Sequence, residues 1–312
     1  MDTITGLLFS SFESALQAAK SLAIPFLFFV CIGFVVRKQE FIKDLRRAFP
    51  QSVLNLKIMF FNVFFVVPLI FITAGILHAV VSHYGLWIVE PGAWSSFHPV
   101  IVILLAVFIG DFTGYWRHRF EHTPILWPSH AVHHSDDEMT WLTLERFHPL
   151  NRITTFAIDG SVLLLMGFPA YAVMANYLVR HYYGFFIHAD LPWTYGKASW
   201  IFVSPAMHRW HHSTDPRYFY TNFATVFSIF DRCFGTYRVP GPCTAPLGVT
   251  DSMNPTLMGQ LSYMFQARAY SPIKSGKASF FFWGSYEPRP AIQNDECDSV
   301  QSLKASAAEN SG

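Results

Sequence analysis

The chain has 312 residues, of which 52% are hydrophobic and only 14% are charged, with a formal net charge of +1. Soluble globular domains usually carry about 25% charged residues, so this composition predicts a multi-pass membrane protein. The near-zero net charge gives no support for a nucleic-acid partner. The four cysteines have no C-x-x-C spacing, so neither a disulfide framework nor a thiolate zinc site is indicated.

Four apolar regions predict the membrane-embedded part of the fold. Three of them, Leu22–Val36, Ile58–Val81 and Val100–Trp116, are predicted to be single spans. The fourth, Ile153–His188, contains Gly-Phe-Pro at 167–169, and we expect a helical hairpin that turns there. The predicted fold is therefore all-α: a multi-pass membrane helical bundle of about four to five membrane-embedded helices, including one hairpin, with a cytoplasmic cap of helices and loops.

The distribution of Lys and Arg sets the predicted orientation. The loop between the first two predicted spans is rich in basic residues, whereas residues 82–99 contain none. The positive-inside rule then places the first loop in the cytoplasm, of a bacterial inner membrane or of the endoplasmic reticulum. The predicted organisation is 1–98, membrane helices and the basic loop; 99–240, a catalytic domain; and 241–312, a cytoplasmic tail with a disordered end.

The histidines are concentrated in three short motifs. Of the 14 histidines, all but His78, His83 and His98 lie between His118 and His212. On a helix, positions i, i+3 and i+4 lie on one face, so each motif is expected to present a fan of imidazoles to one centre. Imidazole binds iron, copper, zinc and nickel. The sequence predicts a multinuclear metal centre whose motif ligands are His118, His122, His130, His133, His134, His208, His211 and His212.

Two features around the motifs refine this prediction. Extending the stripe of His118 towards the N-terminus reaches Tyr115 and Asp111, so Asp111 is a candidate ligand or a carboxylate that fixes a histidine tautomer. No H-E-x-x-H zinc-protease motif is present. Two irons with oxygen are the natural interpretation of so many imidazoles, but the spacing alone leaves two zincs or two coppers open.

The motifs and their surroundings resemble the fatty acid hydroxylase / sterol desaturase superfamily of membrane di-iron oxygenases. The resemblance covers about residues 99–240 and includes D-F-T-G-Y-W-R-H-R from Asp111, L-W at 126–127, H-A-V-H-H-S from His130, R-F-H-P at 146–149, F-I-H-A at 186–189, N-F at 222–223, F-D at 230–231 and F-G-T at 234–236. It implies a pair of iron ions that uses O2 to hydroxylate or desaturate a C–H bond of a lipid, such as a sterol or a fatty acyl chain.

The same resemblance implies further site residues. It adds His188 as a ninth ligand and assigns no catalytic side chain beyond the metal centre. Gly184 stands where some lipid 2-hydroxylases have another histidine, which predicts a sparser shell for one metal, with His148 as the nearest spare imidazole. Asn222 and Arg146 are expected to support the ligand histidines without binding metal themselves.

Partners and substrate follow from the same interpretation. The chain has no flavin or dinucleotide fingerprint, so we expect an external electron donor, a b-type cytochrome or a ferredoxin with its reductase. Two interpretations remain for the nearby basic residues, part of the docking face for this donor or simply a solvated basic rim: Arg117, Arg119, Arg209 and Arg217. The lipid is expected to enter from the bilayer along a cleft between the third span and the hairpin, lined by Tyr115, Trp116 and Phe186 among other aromatic residues.

Two alternatives remain at the level of the sequence. The first is a zinc-dependent membrane hydrolase that uses the same histidines with a water nucleophile. The second is a non-enzymatic membrane protein, either a metal transporter or a bis-histidine haem protein. Transporters place acids and histidines near mid-span, and haem needs paired histidines on opposing helices, whereas these motifs lie at or beyond span ends.

Overall fold

The computed structural model describes residues 2–270, with side chains from residue 12 onward. Within this range the fold is helical and contains no β-strand beyond two isolated bridges, which confirms the all-α prediction. The predicted disordered end lies outside the described residues. The α-helices are α1 Asp2–Ser21, α2 Ala23–Arg37, α3 Phe41–Phe65, α4 Val67–Tyr84, α5 Pro99–Glu121, α6 Trp127–His134, α7 Pro149–Thr155, α8 Ser161–Leu165, α9 Ala170–His188, α10 Pro205–His211, α11 Ile229–Cys233 and α12 Leu257–Ser262.

Three helical stretches of the described chain are long and apolar enough to cross a membrane. They are Phe12–Phe65, which runs from α1 to α3, then α4 and α5. The predicted span Ile58–Val81 is not one helix, because α3 ends at Phe65 and α4 begins at Val67. Pro68 lies in the first turn of α4, where its missing N–H is tolerated but where it cannot continue a preceding helix.

The predicted hairpin has its turn at the expected place. Its first arm is α7, a π-helical turn at Phe156–Gly160 and α8, and its second arm is α9. Gly167 has φ +63°, and a Cβ there would collide with the backbone oxygen of Val89, so only glycine fits the turn. Both arms pack against α5.

The segment predicted as a basic loop is largely helical. Most of it belongs to α3, whose buried residues recur with helical spacing and include Ala48, Asn55, Ile58 and Asn62. The buried amides donate to later segments: Asn55 Nδ2 donates to Asp136 Oδ2 at 2.8 Å, and Asn62 Nδ2 donates to the backbone oxygen of Phe147 at 2.8 Å. Helix α3 therefore supports the segment that follows α6.

The described part of the predicted C-terminal tail is packed against the rest of the fold. Tyr263 and Ala269 form a buried cluster with Ala131 of α6. Ser135, just after α6, donates through Oγ to Oε1 of the buried Gln260 at 2.8 Å. Residues 241–270 thus cover α6 rather than extend away from it.

Candidate metal centre

The motif histidines lie at the ends of three helices. His118 is in the last turn of α5 and His122 is its C-cap residue. The second motif occupies most of α6, and the third most of α10, which is capped by Ser204 Oγ accepting from Met207 N at 3.1 Å. His188 is the last residue of α9. All nine of these imidazoles are buried, so the fold brings together every histidine that the sequence analysis assigned as a ligand.

The nine imidazoles form two adjoining groups. In each group the possible ligand atoms lie within 4.8 Å of one another. Residues i and i+4 of each three-histidine motif join one group, and residue i+3 joins the other, because i+3 and i+4 are about 100° apart around a helix. The expectation that each motif serves one centre is therefore replaced by an interleaved arrangement. The five-histidine group is His118, His122, His130, His134 and His211, and the four-histidine group is His133, His188, His208 and His212.

Backbone carbonyls fix the tautomer of three of these histidines. His118 Nδ1 donates to Phe223 O at 2.7 Å, and His211 Nδ1 donates to Thr221 O at 2.7 Å. In the four-histidine group, His188 Nδ1 donates to Gly184 O at 2.6 Å. In each case Nε2 is left with its lone pair facing the group.

The distances between these nitrogens fit metal ligation. His118 Nε2 and His211 Nε2 lie 3.0 Å apart although both carry lone pairs, so no hydrogen bond can join them. Metal–imidazole bonds of about 2.1 Å at right angles place two nitrogens about 3 Å apart. His188 Nε2 and His208 Nε2 show the same 3.0 Å spacing. His122 Nε2 is buried with no hydrogen-bond partner in the described part of the chain. The residues therefore fit a bound cation in each group.

Burial keeps the imidazoles of α6 and α10 neutral. Desolvation is the largest cause and lowers the pKa of His130, His134 and His208 well below the usual 6.5, and neighbouring imidazoles lower it further. For His211, burial lowers the pKa to about 4. Neutral imidazole is the metal-binding form, so these side chains are ready to ligate at neutral pH.

These pKa shifts predict how pH affects the metal-free protein. A histidine with a depressed pKa binds its proton more readily in the unfolded chain, so its contribution to stability is complete above pH 6.5 and is lost as pH falls towards its folded pKa, about 4 for His211. The loss is about 1.4 kcal/mol per histidine for each pH unit. We expect the melting temperature of the metal-free chain in detergent to fall steadily below pH 6.5, as measured by thermal unfolding. A melting temperature that is constant down to pH 5 would contradict this.

Asn222 links the carbonyls that hold two of the ligands. It has φ +62°, a left-handed conformation that asparagine adopts more readily than most residues. Its two backbone neighbours, Thr221 and Phe223, supply the carbonyls that accept from His211 and His118. Its side chain is held by the backbone of Arg238. The backbone N–H of Arg238 donates to Asn222 Oδ1 at 2.8 Å, and the backbone oxygen of Arg238 accepts from Asn222 Nδ2 at 2.8 Å.

Two buried carboxylates anchor the segment around Asn222. Asp231 Oδ1 accepts from Phe223 N at 2.7 Å and from Thr236 Oγ1 at 2.6 Å, and its Oδ2 accepts from Ala224 N at 2.9 Å. Burial raises the pKa of Asp231 to about 6, while these hydrogen bonds oppose the rise. Asp111 Oδ2 accepts from the backbone N–H groups of Val226 and Phe227. Asp111 therefore holds this segment and contacts no ligand imidazole, which corrects the expectation from the helix stripe.

His148 and Arg146 also have structural partners. His148 joins neither group, because its Nδ1 accepts from Leu150 N at 3.1 Å and its Nε2 donates to Leu261 O at 3.0 Å. Arg146 is fully buried and donates to Val132 O at 3.0 Å and to Ser135 Oγ at 2.9 Å, at the end of α6. Gly184 packs against Leu144, so that even a Cβ there would be 3.0 Å from the leucine methyls. A histidine at 184 would have to displace the Leu144 side chain, and the smaller of the two histidine groups has four members.

The predicted substrate-lining residues of α5 and α9 contact other side chains. These helices are in close contact, because a Cβ at Gly110 or Gly114 would overlap side chains of α9. Tyr115 is buried and its hydroxyl lies 3.0 Å from Thr236 Oγ1. Trp116 packs edge-on against Phe234, and Phe186 packs beside Phe28 and Phe29.

A large groove lies elsewhere, between α1–α3 and the segments that follow α6 and α9. Its volume is about 470 Å³, and most of its wall is apolar. Two of its lining residues, Ala189 and Arg209, directly follow His188 and His208 of the four-histidine group. Of the four arginines predicted to form a docking face, Arg117 and Arg209 are largely buried in ion pairs, whereas the Arg217 side chain is 69% exposed.

Sequence reasoning missed Glu121. This glutamate is fully buried next to His122, and its Oε2 lies 3.4 Å from His130 Nδ1. Its position inside H-x-x-E-H at the end of an apolar span was a signal that could have identified it, since a buried acid at such a place is costly unless it has a role.

Comparison with known proteins identifies relatives of this chain among lipid-modifying enzymes. Residues 103–236 match the family model described as fatty acid hydroxylase. The chain is 28% identical over 228 residues to an ornithine lipid hydroxylase of Rhizobium tropici, covering 72% of this chain and 63% of that protein. No solved structure matches it.

Two further relatives match less than half of this chain. An alkylglycerol monooxygenase of Danio rerio is 33% identical over 132 residues, 42% of this chain and 29% of that protein. A Delta(7)-sterol 5(6)-desaturase of Gibberella zeae is 28% identical over 151 residues, 48% of this chain and 40% of that protein. The chain thus spans less than two thirds of each of these three relatives. The segment 103–236 is thus similar to fatty acid hydroxylase domains, and the names of its relatives are consistent with the fatty acid hydroxylase / sterol desaturase superfamily.

Proposed function

We propose that the chain is a membrane-bound, di-iron, O2-dependent oxidoreductase that hydroxylates or desaturates a C–H bond of a lipid. The observation that supports it most is the pair of adjoining, buried, all-imidazole groups. The named relatives are lipid hydroxylases, monooxygenases and a sterol desaturase, which supports the same class of reaction.

The ligand set favours two irons over the alternatives. Both groups consist only of imidazoles, and the five-histidine group has one ligand more than the four that complete a structural zinc site. The rings of His134 and His212, one from each group, stack with centroids 4.2 Å apart, so the two groups form one continuous site. When bound and reduced, an iron pair would supply the activation of O2 that the side chains alone lack.

The protein's own residues hold and shield this centre. His118, His188 and His211 present Nε2 because backbone carbonyls occupy their Nδ1–H groups. The burial of all nine rings excludes bulk water, which would otherwise compete for ligand positions. The protein thus supplies a rigid, dry donor set.

The groove supports a lipid as the substrate. Its apolar wall is formed mainly by the membrane helices α1–α3, and its inner end borders the residues that follow His188 and His208. An apolar chain lying there would be close to the four-histidine group. We propose this groove as the route of entry, in place of the cleft expected between α5 and α9.

The electron donor and the orientation are parts of the same proposal. We propose that a b-type cytochrome or a ferredoxin with its reductase supplies electrons from the cytoplasmic side. The basic residues at the start of α3 support this orientation by the positive-inside rule.

Oxygen uptake by reconstituted protein tests the proposed function. The full chain would be stripped of metal in detergent, reloaded with Fe(II) under anaerobic conditions, and supplied with a reductant and a membrane lipid extract. We expect O2 consumption together with lipids that have gained one oxygen atom or lost two hydrogen atoms, as seen by mass spectrometry. Zinc-loaded protein is the control. If the chain retains only zinc and takes up no O2, the proposal is wrong and a hydrolase is favoured.

A further inference from the structure

A buried chain of alternating charges leads through the fold to one histidine of the centre. Its members, which we call the ionic chain, lie on α5, on the π-helical turn and on α9. Arg180 lies 3.5 Å from Asp111 and 2.9 Å from Asp159, and Arg117 lies 3.0 Å from Asp159 and 2.7 Å from Glu121. The ionic chain comprises Asp111, Arg180, Asp159, Arg117 and Glu121, and none of these side chains is more than 13% exposed.

The charges of the ionic chain do not cancel. Two arginines each bridge two of three carboxylates, so one negative charge remains when all are ionised. Glu121 is the end of the chain next to the metal centre: its Oε2 accepts from Arg117 at 2.7 Å and lies 3.4 Å from His130 Nδ1, and its Oε1 accepts from Thr154 Oγ1 at 2.5 Å. The carboxylate at this end of the ionic chain therefore faces the five-histidine group.

The surroundings of His130 indicate that its Nδ1, which faces Glu121, carries the proton. Its Nε2 lies 3.1 Å from His118 Nε2 and 3.2 Å from His134 Nε2, inside the group. The proton of a neutral His130 is thus best placed on Nδ1, facing the carboxylate. The amide of Asn151 also lies 3.4 Å from this Nδ1, and its Oδ1 has no partner within residues 12–270, so rotating the amide would bring a second acceptor.

The four-histidine group has no equivalent carboxylate. Across the described residues, the ion pairs that involve a ligand imidazole include only His130 with Glu121. His188 is held instead by a neutral backbone carbonyl, that of Gly184. The two groups therefore differ in ligand number and in the charge placed behind the ligands.

We propose that Glu121 is a positioning residue that makes the two metal sites unequal. It holds the Nδ1–H of His130, keeps Nε2 directed at the metal, and increases the electron-donating strength of this imidazole by placing a negative charge behind it. The five-histidine site then binds a divalent ion more tightly than it would with a neutral partner. This rests on the proposed function only in that both groups bind metal.

A two-site metal titration tests this inference. The full metal-free chain in detergent would be titrated with Co(II), with binding followed by absorbance and calorimetry. For Glu121→Gln, which keeps the shape but removes the charge, we expect one site to weaken about 10–100-fold, the range for loss of an outer partner, while the other is unchanged. Glu145→Gln is the matched control, because Glu145 is also buried and pairs with Arg152 at 2.6 Å but faces no ligand.

Ligand variants identify which site responds. In a His212→Ala background only the five-histidine site is intact, and adding Glu121→Gln should weaken the remaining binding. In a His211→Ala background the four-histidine site is intact, and Glu121→Gln should leave it unchanged. Equal weakening in both backgrounds, weakening in neither, or the same effect from Glu145→Gln would overturn the inference.

A conservative variant covers the case in which Glu121→Gln does not fold. Glu121→Asp keeps the charge but withdraws it by one methylene, so an intermediate weakening of the same single site is expected. Circular dichroism and gel filtration in detergent would verify folding of each variant. If wild-type protein does not bind two ions at all, the proposed di-metal function fails, which is a different result from equal sites in a two-metal protein.

Discussion

Replacing His212 with alanine is expected to reduce the bound metal from two ions per chain to one and to lower lipid oxidation by more than about 100-fold. His212 belongs to the four-histidine group, whose closest nitrogen pairs include His212 Nε2 and His208 Nε2 at 3.2 Å. With only four imidazoles, this group has less redundancy than its neighbour. Removal of a direct ligand should cost more than the 10–100-fold associated with an outer partner. Elemental analysis and the oxygen-uptake assay would measure both effects.

His148→Ala is the matched control for that substitution. His148 is a buried histidine of the same domain, but both of its nitrogens bond to backbone atoms outside the two groups. We expect this variant to retain two ions per chain, with a loss of stability from the missing cap of α7. If His148→Ala lost one ion while His212→Ala kept both, the assignment of the ligands would be wrong.

Asp231→Ala is expected to lower the free energy of unfolding by about 3 kcal/mol or more. The substitution leaves the N–H groups of Phe223 and Ala224 buried without an acceptor, and each such donor costs about 1–3 kcal/mol. For a chain of this size the melting temperature should fall by about 5 °C or more. Thermal unfolding in detergent would measure it. Asp215→Ala, at a more exposed pair with Arg217, should cost no more than about 1 kcal/mol.

Asp231→Ala should also weaken metal binding at one site. The backbone of Phe223 connects Asp231 to the metal centre, because its N–H donates to Asp231 and its oxygen accepts from His118. Without the carboxylate, this oxygen is less firmly placed and His118 loses part of its orientation. A Co(II) titration with unchanged affinity at both sites would show that Asp231 supports the fold alone.

Eight of the nine clustered histidines could be predicted from the sequence because helical spacing gathers them within each motif, whereas His188 was predicted only from the family resemblance. H-x-x-x-H and H-x-x-H-H place imidazoles on one side of a helix whatever the rest of the fold does. Their division into two groups could not be predicted, since it depends on how α6 and α10 face each other. The same is true of Glu121: its helix position is evident, but its approach to His130 arises from the packing of α6 beside α5.

The secondary structure of residues 48–62 could not be predicted from hydropathy. Its basic residues suggested a loop, yet the buried positions of α3 recur with helical spacing from Ala48 to Asn62. Polar residues at buried positions concealed this pattern, because Asn55 and Asn62 count as hydrophilic in any hydropathy profile. Their partners, Asp136 and the backbone of Phe147, lie more than 80 residues away in sequence.

The support that α3 gives to the histidine groups means that the segment 103–236, which matches the family model, is not an autonomous folding unit. Arg146 lies inside the segment 103–236, yet two of its acceptors, Gln51 Oε1 at 2.6 Å and Asn55 Oδ1 at 3.3 Å, belong to α3. Expressed alone, that segment would bury a guanidinium with part of its hydrogen bonds missing and would leave Asp136 without its amide donor. The boundaries of sequence similarity and of cooperative folding therefore differ, and the smallest stable fragment has to include α3.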